Sequence, residues 1–78
     1  MRADLGDPND VDALARLRAA LQALGAVLLD ATTAHDVTVS TFDVGGRELR
    51  LFHDAWSVDA EGPDDLVQRL LDSLQRPA

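Results

Sequence analysis

The chain has no cysteine, no tyrosine and no lysine. Without thiols, disulfide staples and thiolate metal sites are both excluded, and the fold must rest on its core. Without lysine, all seven basic residues are arginine, set against fourteen acids, for a net charge of −7. Such a field repels nucleic-acid phosphates and anionic lipid and favours a neutral or basic partner, so neither nucleic acid nor membrane is expected as one. No apolar run approaches the roughly 18 residues needed to cross a bilayer, and Met1-Arg2-Ala3-Asp4 does not lead into a continuous apolar stretch. The expectation is a soluble, cytoplasmic protein. Aromatics are scarce: Phe42, Phe52 and Trp56 are the only three.

What is present is alternation. Between 37 and 60, two turn signals separate three short runs in which apolar and polar residues alternate, the pattern of an antiparallel β-meander. One face collects Val37, Val39 and Thr41, then Leu49, Leu51 and His53, then Trp56, Val58 and Ala60, and is expected to be the core face. The other collects Thr38, Ser40, Phe42, Glu48, Arg50, Phe52, Ser57 and Asp59. Both phenylalanines thereby fall on the outside of the sheet, an apolar surface of the kind that marks an interface.

Asp7-Pro8 reads as an N-cap followed by proline at the first helical position. Leu14, Leu17, Leu21 and Leu24 recur at spacings of three and four, giving one apolar stripe with Arg16, Arg18 and Gln22 off it. Gly25 is the residue type found just past helix ends, so the helix is expected over 8–24, with a short edge strand over 26–30 and a polar loop over 31–36. Asp43-Val44-Gly45-Gly46-Arg47 is a hairpin connection. A three-residue loop there sets Val39 opposite Leu51, Thr41 opposite Leu49 and, across the next turn at Asp54-Ala55, Arg50 opposite Asp59. A two-residue Gly45-Gly46 turn shifts the register by one, bringing Phe42 beside Leu49 but mixing the faces, and is the less favoured pairing. Gly62-Pro63-Asp64-Asp65 opens a last helix with a stripe of Leu66, Val67, Leu70, Leu71 and Leu74, ended by Arg76-Pro77-Ala78.

The fold class that follows is α+β. One domain over 1–78, with 1–6 flexible, forms a two-layer sandwich: a meander of three to four strands and both helices on one face, in the order α-β-β-β-β-α. If the first helix ran on through Leu29 the order would be α-β-β-β-α, which resembles the topology of double-stranded RNA-binding domains. Those domains present lysines at the start of their last helix, where this chain has Pro63-Asp64-Asp65.

The residues with reactive chemistry point elsewhere than catalysis. His35-Asp36 and His53-Asp54 are of metal-ligating type and come to one end of the sheet, but each sits where Asp makes turns and His is an ordinary edge residue. His53, Asp54 and Ser57 are the residue types of a nucleophilic triad, yet consecutive side chains on a tight hairpin point apart. Gly45-Gly46 is followed by no helix, so it is a turn rather than a phosphate cradle. Trp56 is expected as a core anchor. No catalytic, cofactor-binding or metal-binding residue is assigned, and no small-molecule substrate is evident. The functional expectation is a non-enzymatic protein–protein interaction or self-assembly module, a homodimer or a complex with another protein. It would use the outer sheet face through Phe42, Phe52, Arg50 and Leu28. The alternative is an acidic inhibitor or immunity-type protein that captures a basic partner.

Overall fold

The computed structural model describes residues 1–75. The elements run β1 (Arg2–Gly6), α1 (Val11–Ala23), β2 (Val27–Ala34), β3 (Val37–Val44), β4 (Arg47–His53), β5 (Val58–Glu61) and α2 (Asp64–Gln75). The five strands form one sheet in the order β1-β5-β4-β3-β2, with every neighbouring pair antiparallel. The result is the expected α+β layout with five strands instead of three to four. α1 carries the chain from one sheet edge to the other, and β2 through β5 then walk back as a meander. The sequence end at Arg76-Pro77-Ala78 lies outside the described residues.

The extra strand is β1. Arg2–Gly6, where a flexible end was expected, forms it: Arg2, Ala3 and Asp4 pair with Glu61, Ala60 and Asp59. The cause is a short alternation in which Ala3 and Leu5 turn toward the core while Arg2 and Asp4 face solvent. Arg2 is further tied to Asp59 by an ion pair of 3.1 Å.

α1 starts three residues later than the Asp7-Pro8 signal suggests. Asp7, Pro8 and Asn9 form a turn, in which the Asn9 amide donates to the Asp7 carboxylate at 2.8 Å. The working cap is Asp10, whose side chain accepts from the Ala13 amide at 3.1 Å. The far end does break at Gly25. With φ of 74°, Gly25 takes the left-handed conformation, its N–H donates to the Gln22 carbonyl, and the Ala26 N–H donates to the Leu21 carbonyl, both at 3.0 Å. That is the six-to-one closure of a glycine-ended helix.

Both long hairpins close through two-residue turns, and this corrects the register. His35 and Asp36 have φ of 52° and 64°, Gly45 and Gly46 have 60° and 86°. Positive φ at both central residues is the mirror-image turn whose twist matches that of the strands. The expected polar loop over 31–36 is therefore mostly strand, since β2 continues to Ala34. In β3–β4, Val44 pairs with Arg47, Phe42 with Leu49 and Val39 with Phe52. The slip of one residue exchanges the faces of β3: Phe42 and Val44 point toward the helices, while Val37, Val39 and Thr41 point away. In β4–β5, Arg50 lies opposite Glu61, not Asp59.

The core gathers under β4 and β5. Leu49, Leu51, Val58 and Ala60 from the sheet meet Leu17, Ala20 and Leu21 of α1 and Leu66, Val67 and Leu70 of α2. Leu49, Leu66, Val67 and Leu70 are wholly buried. Arg47 braces the start of α2 by donating from Nη1 to both carboxylate oxygens of Asp65 at 2.8 Å. That contact holds the Asp65 carboxyl below its usual titration range, with the Arg47 hydrogen bond as the largest cause. β2 contributes nothing to the core and is exposed at all eight positions.

Candidate functional site

The helices leave one flank of the sheet bare. Neighbouring strands are about 4.8 Å apart and packed helices about 10 Å, so two helices cover about four strands, and five need more. Because α1 and α2 pack on each other over β4 and β5 and α2 reaches across to β1, the deficit falls on β2 and β3. Along that flank lies a groove of about 430 Å³ lined by Leu14, Leu17, Arg18, Leu21, Gln22, Ala26, Leu28, Phe42 and His53. One wall is α1, the floor is Phe42, and the outer lip is Leu28, which pairs with Phe42 across β2–β3. Val27, Leu28 and Leu29 are each more than half exposed.

The outer-face interface expected from the sequence is therefore not one surface. Phe42 and Leu28 stand on the helix side and come together in the groove, because the two-residue turn reverses β3. Phe52 and Arg50 do lie on the outer face, but each is occupied. The Arg2 guanidinium stacks 4.4 Å from the centre of the Phe52 ring, a cation–π contact that covers it. Arg50 donates to Glu48 at 2.8 Å, which holds its guanidinium still more firmly protonated.

Trp56 is not a core anchor. It stands 83% exposed in the loop between β4 and β5, because His53 pairs with Val58 and the loop has four residues instead of two. Asp54 shapes that loop: one carboxylate oxygen accepts from the amides of both Trp56 and Ser57 at 2.8 Å, and the Asp54 amide donates to the Ser57 carbonyl at 3.1 Å. His53, Asp54 and Ser57 thus sit close in sequence, but the carboxylate serves the backbone and orients no imidazole. The two His-Asp pairs do reach the same end of the sheet, since His53 lies opposite Thr38 and Thr38 opposite Thr33 near the His35-Asp36 turn. Among the described residues no three His, Asp or Glu side chains gather as a metal ligand set.

The two amide bonds hold the Asp54 carboxyl below its ordinary pKa, the Trp56 amide being the larger cause. A carboxyl whose pKa is lower folded than unfolded adds stability above the unfolded value, and that stability is lost as pH falls through the folded value. Asp54→Asn should therefore be less stable than the wild type at pH 7, and the gap should close below about pH 4. Denaturant melts of both proteins from pH 7 to pH 2 read this directly.

The groove was missed by sequence reasoning although its parts were visible. Arg18 and Gln22 are one turn apart and off the leucine stripe, and Gly45-Gly46 is a two-residue hairpin signal. No helix among the described residues is long and apolar enough to cross a membrane. The chain matches no protein-family model, no curated protein and no solved structure.

Proposed function

We propose that this protein is a non-enzymatic self-assembly module in which two copies pair along β2. The observation that carries this reading is a strand of eight residues, all exposed, at the edge of the sheet. Unpaired edge strands template further pairing, and proteins that stay monomeric blunt them with charge, proline or a covering element. β2 carries a bulge between Leu28 and Asp30, which turns its first part away, and beyond it only the small neutral residues Ala31, Thr32, Thr33 and Ala34. Its single charge is Asp30.

A second copy suits this edge. An antiparallel pairing centred on Thr32 sets Asp30 opposite Ala34 of the other copy. The two Asp30 carboxylates then stand about 13 Å apart along the strands, beyond a Debye length of about 8 Å. β-branched Thr32 meets itself, a favourable cross-strand pair. The acidic-inhibitor alternative rests on net charge and names no surface.

Thr32→Glu with Ala34→Glu should abolish pairing, because the added carboxylates meet one another at position 32 and Asp30 of the other copy at position 34, while an exposed strand tolerates both side chains. In sedimentation at micromolar concentration the wild type should run at twice its 8.4 kDa monomer mass. The double variant should run at the monomer mass with unchanged circular dichroism. A monomeric wild type would remove this reading.

A further inference from the structure

From the residues lining the groove, we infer that it is a binding site for an apolar carboxylate, a small amphiphile with a hydrocarbon body and an anionic head. This inference does not rest on self-assembly: strand pairing at the β2 edge leaves the helix side of the sheet open.

The lining divides by chemistry. Leu14, Leu17, Leu21, Leu28 and Phe42 make an apolar trough, and its polar members are Arg18, Gln22 and His53. All three can donate hydrogen bonds, and no acid lines the groove, in a chain with fourteen acids and a net charge of −7. Of the arginines, Arg2, Arg47 and Arg50 are engaged by Asp59, Asp65 and Glu48. Among the described residues Arg18 has no carboxylate partner; it stands one helical turn from Gln22, so both present donors to the same stretch of groove.

Size favours a small ligand. About 430 Å³ lies within the 300–1,000 Å³ typical of small-molecule sites. From Leu14 to Gln22 α1 rises about 12 Å, close to the reach of an extended twelve-carbon chain. A planar guanidinium matches a carboxylate with two parallel hydrogen bonds, which a hydroxyl or an ammonium head cannot accept. The hydrocarbon would cover Leu28, which stands 55% exposed, and the part of Phe42 that the core leaves uncovered.

Titration calorimetry with dodecanoate, dodecanol and dodecyltrimethylammonium, each below its micellar concentration, tests the site. Dodecanoate should bind the wild type stoichiometrically, and at least about tenfold more tightly than the other two, the gain of a charge-assisted hydrogen bond at a partly open site. Arg18→Gln, an exposed position whose melting temperature should not move, should lose that tenfold preference while keeping its dodecanol affinity. Leu28→Ser should weaken all three probes. Methyl resonances of Leu14 and Leu28 should shift with dodecanoate while those of Leu66 stay in place. Equal affinity for the three heads, an unaltered preference in Arg18→Gln, or no binding of dodecanoate would each overturn the inference. So would shifts at Leu14 and Leu28 with an apolar peptide but not with dodecanoate, which would mark the groove as a peptide seat. A monomeric wild type that still prefers dodecanoate would remove the assembly reading and leave this one standing.

Discussion

Leu66→Ala and Leu70→Ala should each cost about 2–5 kcal/mol, enough to unfold most of the population at room temperature or slightly above. Both side chains are wholly buried and pack against Leu49, Ala60 and the α1 leucines in the one core that the molecule has among its described residues. A domain of 78 residues buries only about 60–65% of its unfolded surface, so it has little stability in reserve. Leu28→Ala is the matched control. The same chemical change at a position 55% exposed removes little buried area and should cost no more than about 0.5 kcal/mol. Urea melts of the three variants separate the two classes. A loss at Leu28 as large as at Leu70 in dilute, monomeric protein would mean that the β2 flank is covered after all.

The second large effect belongs to the turn that sets the register. Replacing Gly45 and Gly46 together by valine should destabilise the protein by about 2–4 kcal/mol, since each position has positive φ and an L-residue there pays about 1–2 kcal/mol. A β-branched residue stands at the upper end of that range. Gly45→Asn should be tolerated or mildly stabilising, because asparagine accepts the left-handed conformation and Asn-Gly is the favoured pair for this turn. The open space around both glycines, where an added Cβ would meet nothing within 4 Å, makes this a test of backbone conformation rather than of crowding. Thermal melts check it, and indifference to the double valine change would show that the hairpin can close through a longer loop with the register shifted.

That turn also marks where the sequence stopped being legible. The β4 and β5 faces, the α2 stripe and the break at Gly25 follow from periodicity and from glycine's conformational freedom, and the structure has them as expected. β3 does not, because Val37, Val39 and Thr41 alternate as convincingly as Phe42 and Val44, and alternation alone cannot say which set faces in. The decision lay in two glycines between Val44 and Arg47. One residue of slip carried Phe42 from the outer surface into the groove and dissolved the interface built on it. β1 was hidden for a different reason. Its two apolar residues are too few for a period, and its stability comes from pairing with β5, a contact 57 residues away that no local pattern reports. Trp56 followed the pattern of β5 but fell in the loop that Asp54 organises, so side-chain capping overrode alternation.

Amide hydrogen exchange along β2 tests most directly whether this strand is a shared edge. Alternate N–H groups of β2 bond to β3, and the rest point outward from the sheet. If two copies pair there, the outward amides from 30 to 34 should be protected at several hundred micromolar and lose that protection on dilution, while the β3-facing amides stay protected throughout. Outward amides that exchange freely at every concentration, beside β3-facing amides that do not, would contradict it.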